Sequence, residues 1–154
     1  MKLIFLFIVV FLNSADCGEM QIVRDNYHKI KTNHQLEQYI NFLDELKCES
    51  AEPYLASAIM RQAEYCFWPL VKFKCFAQGK NQLEDFIRKY PYNIEARYVR
   101  VLVQSELPAI LGYKNQIKSD SEFIKSNIQS TELPYAYQAV ILDNIYMIIK
   151  KLNL

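Results

Sequence analysis

The chain has 154 residues, of which 51% are hydrophobic and 14% aromatic, enough for one domain with a sizeable core but short for two. Its 18 basic and 17 acidic residues leave a net charge of +1 and form no basic run, so the charge pattern gives no support for a nucleic-acid partner. The low counts of 3 glycines and 5 prolines argue against a many-turned β-sandwich and favour long helices.

The first predicted element is a secretory signal peptide over residues 1–18. Lys2 precedes an apolar run from Leu3 to Leu12, and small and polar residues follow. The run is about ten residues long, short of the roughly 20 that span a bilayer. Cleavage after Cys17, or else after Gly18, fits the small-residue pattern, and the residues before Cys17 lack the pattern of lipid-attachment signals. We therefore expect an exported protein, periplasmic or secreted, without a transmembrane span in its mature chain.

Residues 19–154 are predicted to form a single all-α domain of about seven helices, because apolar residues recur at helical spacing and no segment alternates as a strand does. The predicted helices cover about residues 19–30, 32–46, 50–67, 69–90, 94–106, 114–128 and 131–152. Thr32, Ser50 and Asn93 are the predicted N-caps. Gly112 suits a left-handed turn before the sixth helix.

A Pro-Tyr pair recurs three times near predicted helix starts. The segments are "PYLASA" from Pro53, "PYNIEA" from Pro91 and "PYAYQA" from Pro134. Each interval between them holds two predicted helices, which indicates a repeated helical hairpin.

The stretch "GKNQLEDFIRKYPYNIEAR" resembles the second helix, turn and next first helix of a tetratricopeptide-like repeat. Gly79 stands at the small-residue position, Leu83 at the aromatic or leucine position and Pro91 at the turn proline, whereas Phe86 replaces a small residue. The resemblance implies a stack of antiparallel helical hairpins. Gly79 also lies inside an apolar helix face, where it costs about 1 kcal/mol relative to alanine, so we expect another backbone to cross closely there.

A second resemblance covers the middle third of the chain. The segments "GKNQLEDFI", "EARYVR" and "PAILGYKNQIKSD" are similar to a group of small exported bacterial helical proteins. That likeness implies export and a helical fold, and it implies no reaction.

The cysteines and histidines give no pattern of a metal site. Cys48 and Cys66 lie at opposite ends of one predicted helix, roughly 25 Å apart, too far for a disulfide. Cys66 and Cys75 could pair only with an axial offset across a hairpin, so we expect buried free thiols. His28 and His34 lie six residues apart without further ligands, as surface histidines do. No metal or cofactor is expected.

Five polar residues stand out because they fall on or near apolar helix faces. Arg97, Arg100 and Gln104 form one stripe on the fifth predicted helix, and Asp120 lies on the buried side of the sixth. Asp143 and Arg100 both follow a repeated proline by nine residues, and equivalent positions of stacked repeats lie side by side. Either the aspartates hold the arginines in a buried network, or the guanidiniums line a groove and bind a carboxylate or an acidic peptide.

Catalysis has little support, because the chain has no Gly-rich phosphate loop and no nucleophile beside a histidine. Most tyrosines and Trp68 are predicted to be core residues. We expect a scaffold that binds a protein or peptide partner, and the alternative is a helical pocket for a small apolar or anionic ligand. An open groove edged by arginines would favour the first, and a large closed aromatic cavity the second.

Overall fold

The computed structural model describes residues 17–154, and within that range the chain is entirely helical, without a strand. Its α-helices are α1 (Met20–Tyr27), α2 (Asn33–Leu46), α3 (Glu52–Tyr65), α4 (Pro69–Lys89), α5 (Ile94–Glu106), α6 (Ile117–Asn127) and α7 (Tyr135–Leu152). The all-α class and the seven predicted helices are confirmed. The signal peptide predicted for residues 1–18 lies outside the described residues except for its last two. None of the described helices is long and apolar enough to cross a membrane.

Local signals at the helix ends are mostly confirmed. Thr32 and Asn93 each accept a hydrogen bond from the backbone N–H three residues on, at 3.2 and 2.8 Å. Gly112 adopts the left-handed conformation with φ 62°. The predicted cap at Ser50 is wrong, because a 3-10 turn over Glu49–Ala51 precedes α3 and takes up that residue.

The hydrophobic core formed by residues 17–154 consists of two clusters that meet at α5. Its residues Ala96, Val99 and Val103 belong to the cluster formed with α1–α4, and Ile94, Tyr98 and Val101 to the cluster formed with α6 and α7. A helix that is apolar on both flanks is expected to lie centrally. Burial of each valine or isoleucine among them contributes roughly 1.5–3 kcal/mol, so α5 ties the two halves of the domain together.

Gly79 permits the close packing of α4 against α3, which contact each other more extensively than any other pair of described helices. A Cβ atom at Gly79 would collide with the carbonyl oxygen of Ala56 and would lie 2.8 Å from the backbone nitrogen of Met60. The close backbone crossing predicted at this glycine is confirmed.

Replacing Gly79 with leucine is therefore expected to destabilise the protein by about 1–3 kcal/mol or more, since the obstacle is backbone and the two helices must separate. Urea unfolding followed by circular dichroism measures the change. The neighbouring exposed Gln78 provides the control, because Gln78→Leu adds the same side chain where it meets solvent. Equal stability of the two variants would contradict the close packing.

A disulfide joins Cys17 to Cys48, with 6.2 Å between their Cα atoms. The expectation that Cys48 is a free thiol is therefore wrong. The error came from assigning Cys17 to the removed segment, which left Cys48 without a partner. The bond closes a loop over α1 and α2 and contributes about 3–4 kcal/mol in the chain-entropy account. Cys66 and Cys75 are free, as expected, but both are partly exposed rather than buried.

Candidate binding cleft and buried ion-pair networks

The predicted arginine stripe faces Asp120, which is completely buried. Arg100 binds this carboxylate with two atoms, Nε to Oδ2 at 2.7 Å and Nη2 to Oδ1 at 2.8 Å. Its remaining Nη1 donates to Glu84 at 2.8 Å, and Glu84 also accepts a hydrogen bond from the hydroxyl of Tyr113. Every guanidinium nitrogen of Arg100 is thus occupied by a carboxylate of the same chain, as a structural network requires.

Arg97 and Gln104 complete the stripe. Arg97 donates from Nη1 to Asp120 at 2.6 Å and from Nε to the carbonyl of Pro91 at 2.8 Å, and it lies over the ring of Phe123. Gln104 is fully buried and exchanges two hydrogen bonds with Gln116 at the start of α6. These contacts fix α6 against α5, and they engage all three guanidinium nitrogens of Arg100 and two of those of Arg97.

The pairing predicted between Arg100 and Asp143 is wrong. Asp143 is exposed, and the ion pairs of Arg100 among the described residues are those with Asp120 and Glu84. The prediction assumed that residues nine positions after each repeated proline lie side by side. In α7, however, Ile141 and Ile145 are the residues that pack into the core cluster shared with α5. Asp143 therefore points to solvent.

A second buried network was missed by sequence reasoning. Arg24 of α1 binds Glu95 of α5 through two hydrogen bonds of 2.8 Å, and both residues are buried. The hydroxyl of Tyr54 donates to Glu95 at 2.6 Å and lies 2.7 Å from that of Tyr137. Burial raises the pKa of Tyr54 well above its ordinary value, so the hydroxyl keeps its proton and remains a donor.

The three Pro-Tyr segments meet in this second network. Tyr54 belongs to the first segment, Glu95 to the second and Tyr137 to the third, at the starts of α3, α5 and α7. Arg24 adds α1, and its guanidinium lies 5.3 Å from the ring centroid of Tyr137. In the sequence, Arg24 lies next to Val23 and Tyr27, which form an apolar helix face, and this position indicated that the arginine could be buried. No sequence pattern indicated that Glu95 is its partner.

A wide cleft among the described residues has a volume of about 840 Å³. It lies between the C-terminal halves of α3 and α5, the N-terminal half of α4 and the 3-10 turn that follows α5, and it is open to solvent. Its apolar lining includes Ile30, Met60, Phe76, Val103 and Leu111. The predicted arginine stripe does not line it.

An exposed apolar segment borders this cleft. The segment from Phe67 to Phe73, called the aromatic turn below, connects α3 to α4 and forms the first turn of α4. Phe67 is 84% exposed, Trp68 67% and Leu70 85%. The prediction that Trp68 is a core residue is wrong. The apolar side chain of Trp68 indicated burial. Because α4 begins at Pro69, however, Trp68 lies in the turn before the helix and its ring is exposed.

Several polar groups lie along the cleft. The hydroxyls of Tyr27 and Ser57 lie 2.7 Å apart, and Arg61 donates to the carbonyl of Ile30 at 3.1 Å. His28 is exposed as a whole residue, yet its ring packs beside Tyr27. Burial of that ring lowers the pKa of His28, so the imidazole is neutral at pH 7. The cleft thus combines an apolar floor with polar groups, of which Tyr27, Ser57 and Arg61 already have hydrogen-bond partners.

No protein-family model, curated protein or solved structure matches this chain. Within residues 17–154, no group of three or more histidine, cysteine or acidic side chains is placed to hold a metal ion.

Proposed function

We propose that the protein is an exported helical scaffold that binds an apolar segment of a partner protein in the cleft between α3, α4 and α5, and that it is a binding protein rather than an enzyme. The observation that carries this proposal is the exposed aromatic turn beside the cleft. Trp68 and Phe73 are bulky side chains of the kind that dominate binding energy at interfaces. A run of exposed apolar residues rimming a cleft is typical of interaction sites.

The size of the apolar surface favours a protein partner over a small ligand. A small molecule could fill the cleft, whose volume is ordinary for a ligand site. It would leave Phe67, Leu70 and Ile110 uncovered, and Ile110 is 92% exposed. A partner segment with bulky side chains would cover both the cleft and these neighbours.

The charges around the cleft favour an apolar segment without a strong net charge. Arg61 and Lys72 lie on its lining, and so do Glu64 and Glu106. Two positive and two negative side chains give no net attraction for an anionic ligand. A partner segment flanked by both acidic and basic residues could instead form ion pairs with side chains of both signs. The anionic-ligand alternative is disfavoured for this reason as well as by the occupied arginine stripe.

The proposed architecture is a tetratricopeptide-like stack of antiparallel hairpins. Three residues connect α3 to α4, and short connections favour antiparallel neighbours. The convergence of the starts of α3, α5 and α7 on one buried network also supports side-by-side first helices, because equivalent positions of stacked repeats lie together.

Export is part of the proposal, and the disulfide supports it, because such bonds persist in oxidising compartments. Cleavage after Cys17 or Gly18 would remove Cys17, the disulfide partner of Cys48, from the mature chain. We therefore place the cleavage site before Cys17. Lipid attachment at Cys17 would use the same sulfur atom and is incompatible with the disulfide.

N-terminal sequencing of the exported protein is expected to begin at or before Cys17 and after the apolar run. Mass measurement without reductant should show the Cys17–Cys48 bond and no attached lipid. A mature chain that begins at Gly18 or Glu19 would contradict the assigned cleavage site, and one that begins at Met1 would contradict export by a cleaved signal.

The binding surface can be tested in cells that make the protein naturally. A photoreactive phenylalanine analogue at Trp68 or Phe73 is expected to crosslink to one partner protein, at one apolar segment. The same analogue at exposed Tyr92 is the control, because Tyr92 precedes α5 and the cleft lies at the other end of that helix.

Affinity for a synthetic peptide of the crosslinked segment supplies the quantitative check. Trp68→Ala should weaken binding by at least about tenfold, as expected for an interfacial aromatic anchor, while Tyr92→Ala leaves it unchanged. Equal crosslinking from all three positions would contradict the proposed surface. Recovery of a bound lipid or metabolite in native mass spectrometry, without a peptide crosslink, would favour the small-ligand alternative.

A further inference from the structure

The two cysteines left free flank the aromatic turn. Cys66 directly follows α3, and Cys75 lies in the second turn of α4. Both are partly accessible to solvent, and neither takes part in the Cys17–Cys48 bond.

The side chain of Cys66 is folded back along α3. Its thiol donates a hydrogen bond to the carbonyl of Gln62, four residues earlier, at 3.3 Å. This orientation points the sulfur back along α3 and so shortens the axial offset that a pairing of Cys66 with Cys75 across the turn would otherwise have. The two thiols consequently interact directly.

We propose that Cys66 and Cys75 form a second disulfide across the turn between α3 and α4. The oxidant is a small-molecule or protein disulfide of the kind present in oxidising compartments. The proposal does not depend on the identity of any binding partner.

The reaction consists of two thiol–disulfide exchanges. The thiolate of Cys66 attacks one sulfur of the oxidant, breaks its S–S bond and releases one thiolate, which takes up a proton. Cys75 then loses its proton and attacks the Cys66 sulfur of the mixed disulfide, and the second thiol of the oxidant leaves. Two electrons pass from the cysteine pair to the oxidant. Burial and the hydrogen bond with Cys66 raise the pKa of the Cys75 thiol, so Cys66 is assigned the first attack.

The new bond would enclose residues 66–75 and so tether the aromatic turn at both ends. Oxidation would therefore reduce the freedom of the exposed side chains of Phe67 and Trp68.

Tryptic mapping of the full disulfide-containing chain tests the proposal. The purified protein is incubated with a mixture of oxidised and reduced glutathione, its remaining thiols are blocked, and it is digested without reductant. The expected product is residues 62–72 linked to residues 75–80, since trypsin cuts after Lys72 and Lys74. The Cys17–Cys48 bond lies wholly before this region and cannot produce that species.

The intact protein should also lose the mass of two hydrogen atoms on oxidation, and Cys75→Ser should abolish both the mass loss and the linked peptides. Quantitative blocking of both thiols after incubation, or a stable glutathione adduct on Cys66 without the linked peptides, would overturn the proposal.

Discussion

Arg100→Ala is expected to lower the free energy of unfolding by about 3 kcal/mol, at the lower end of the range for breaking a buried ion pair. The change removes both hydrogen bonds to the buried carboxylate of Asp120 and the one to Glu84. The loss stays near the lower end because Arg97 still donates to Asp120 at 2.6 Å. Urea unfolding of the folded domain, with its disulfide intact, measures the difference.

A double-mutant cycle then tests whether the pair acts as a unit. Asp120→Ala in the Arg100→Ala background should cost less than in the wild type, because only Arg97, and no longer Arg100, then loses its carboxylate partner. Asp143→Ala is the matched control, since this aspartate is exposed and not paired with Arg100, and its loss should stay within about 0.5 kcal/mol. Additive losses at Arg100 and Asp120 would contradict the network.

The helices could be predicted because their signals are local. Caps at Thr32 and Asn93, the turn at Gly112 and the helical spacing of apolar residues each depend on a few neighbouring side chains. Gly79 is a partial exception: the sequence indicated a close crossing, but only the packed chain identifies Ala56 and Met60 as the backbone that crosses.

Pairings between distant residues were predicted less well, since they depend on how helices rotate against each other. Arg100 was expected to meet Asp120 or Asp143, and the rotation of α7 leaves only the first within reach. The bond between Cys17 and Cys48 depends on the path of α1 and α2.

The candidate site was the least predictable feature. The cleft draws residues from five separate segments, and no short stretch of sequence contains its pattern. Exposed Trp68 looked like a core residue because hydrophobicity alone does not tell a turn from a helix interior. The arginine stripe, by contrast, was conspicuous in the sequence, and its guanidiniums bind carboxylates of the same chain.

The network around Glu95 carries the largest expected single loss. Arg24→Met keeps much of the aliphatic side chain but removes the guanidinium, leaving the buried Glu95 carboxylate with the hydroxyl of Tyr54 as its remaining hydrogen-bond donor among the contacts described above. Leaving a buried charge without its partner costs about 3–5 kcal/mol. We expect the upper part of that range because, among residues 17–154, no second cation pairs with Glu95 as Arg97 pairs with Asp120.

The surface pair of Arg88 and Asp85 provides the control for this change. Arg88→Met removes an ion pair of similar length, 2.9 Å, between side chains that are mostly exposed, and it should cost less than about 1 kcal/mol. Adding Glu95→Leu to Arg24→Met should recover much of the loss, because it removes the unpaired charge and leaves two apolar side chains in contact. Urea unfolding compares all three variants. If Arg24→Met is as stable as Arg88→Met, the buried pair does not hold α1 to α5, and the shared network of the three Pro-Tyr segments has no part in the stability of the fold.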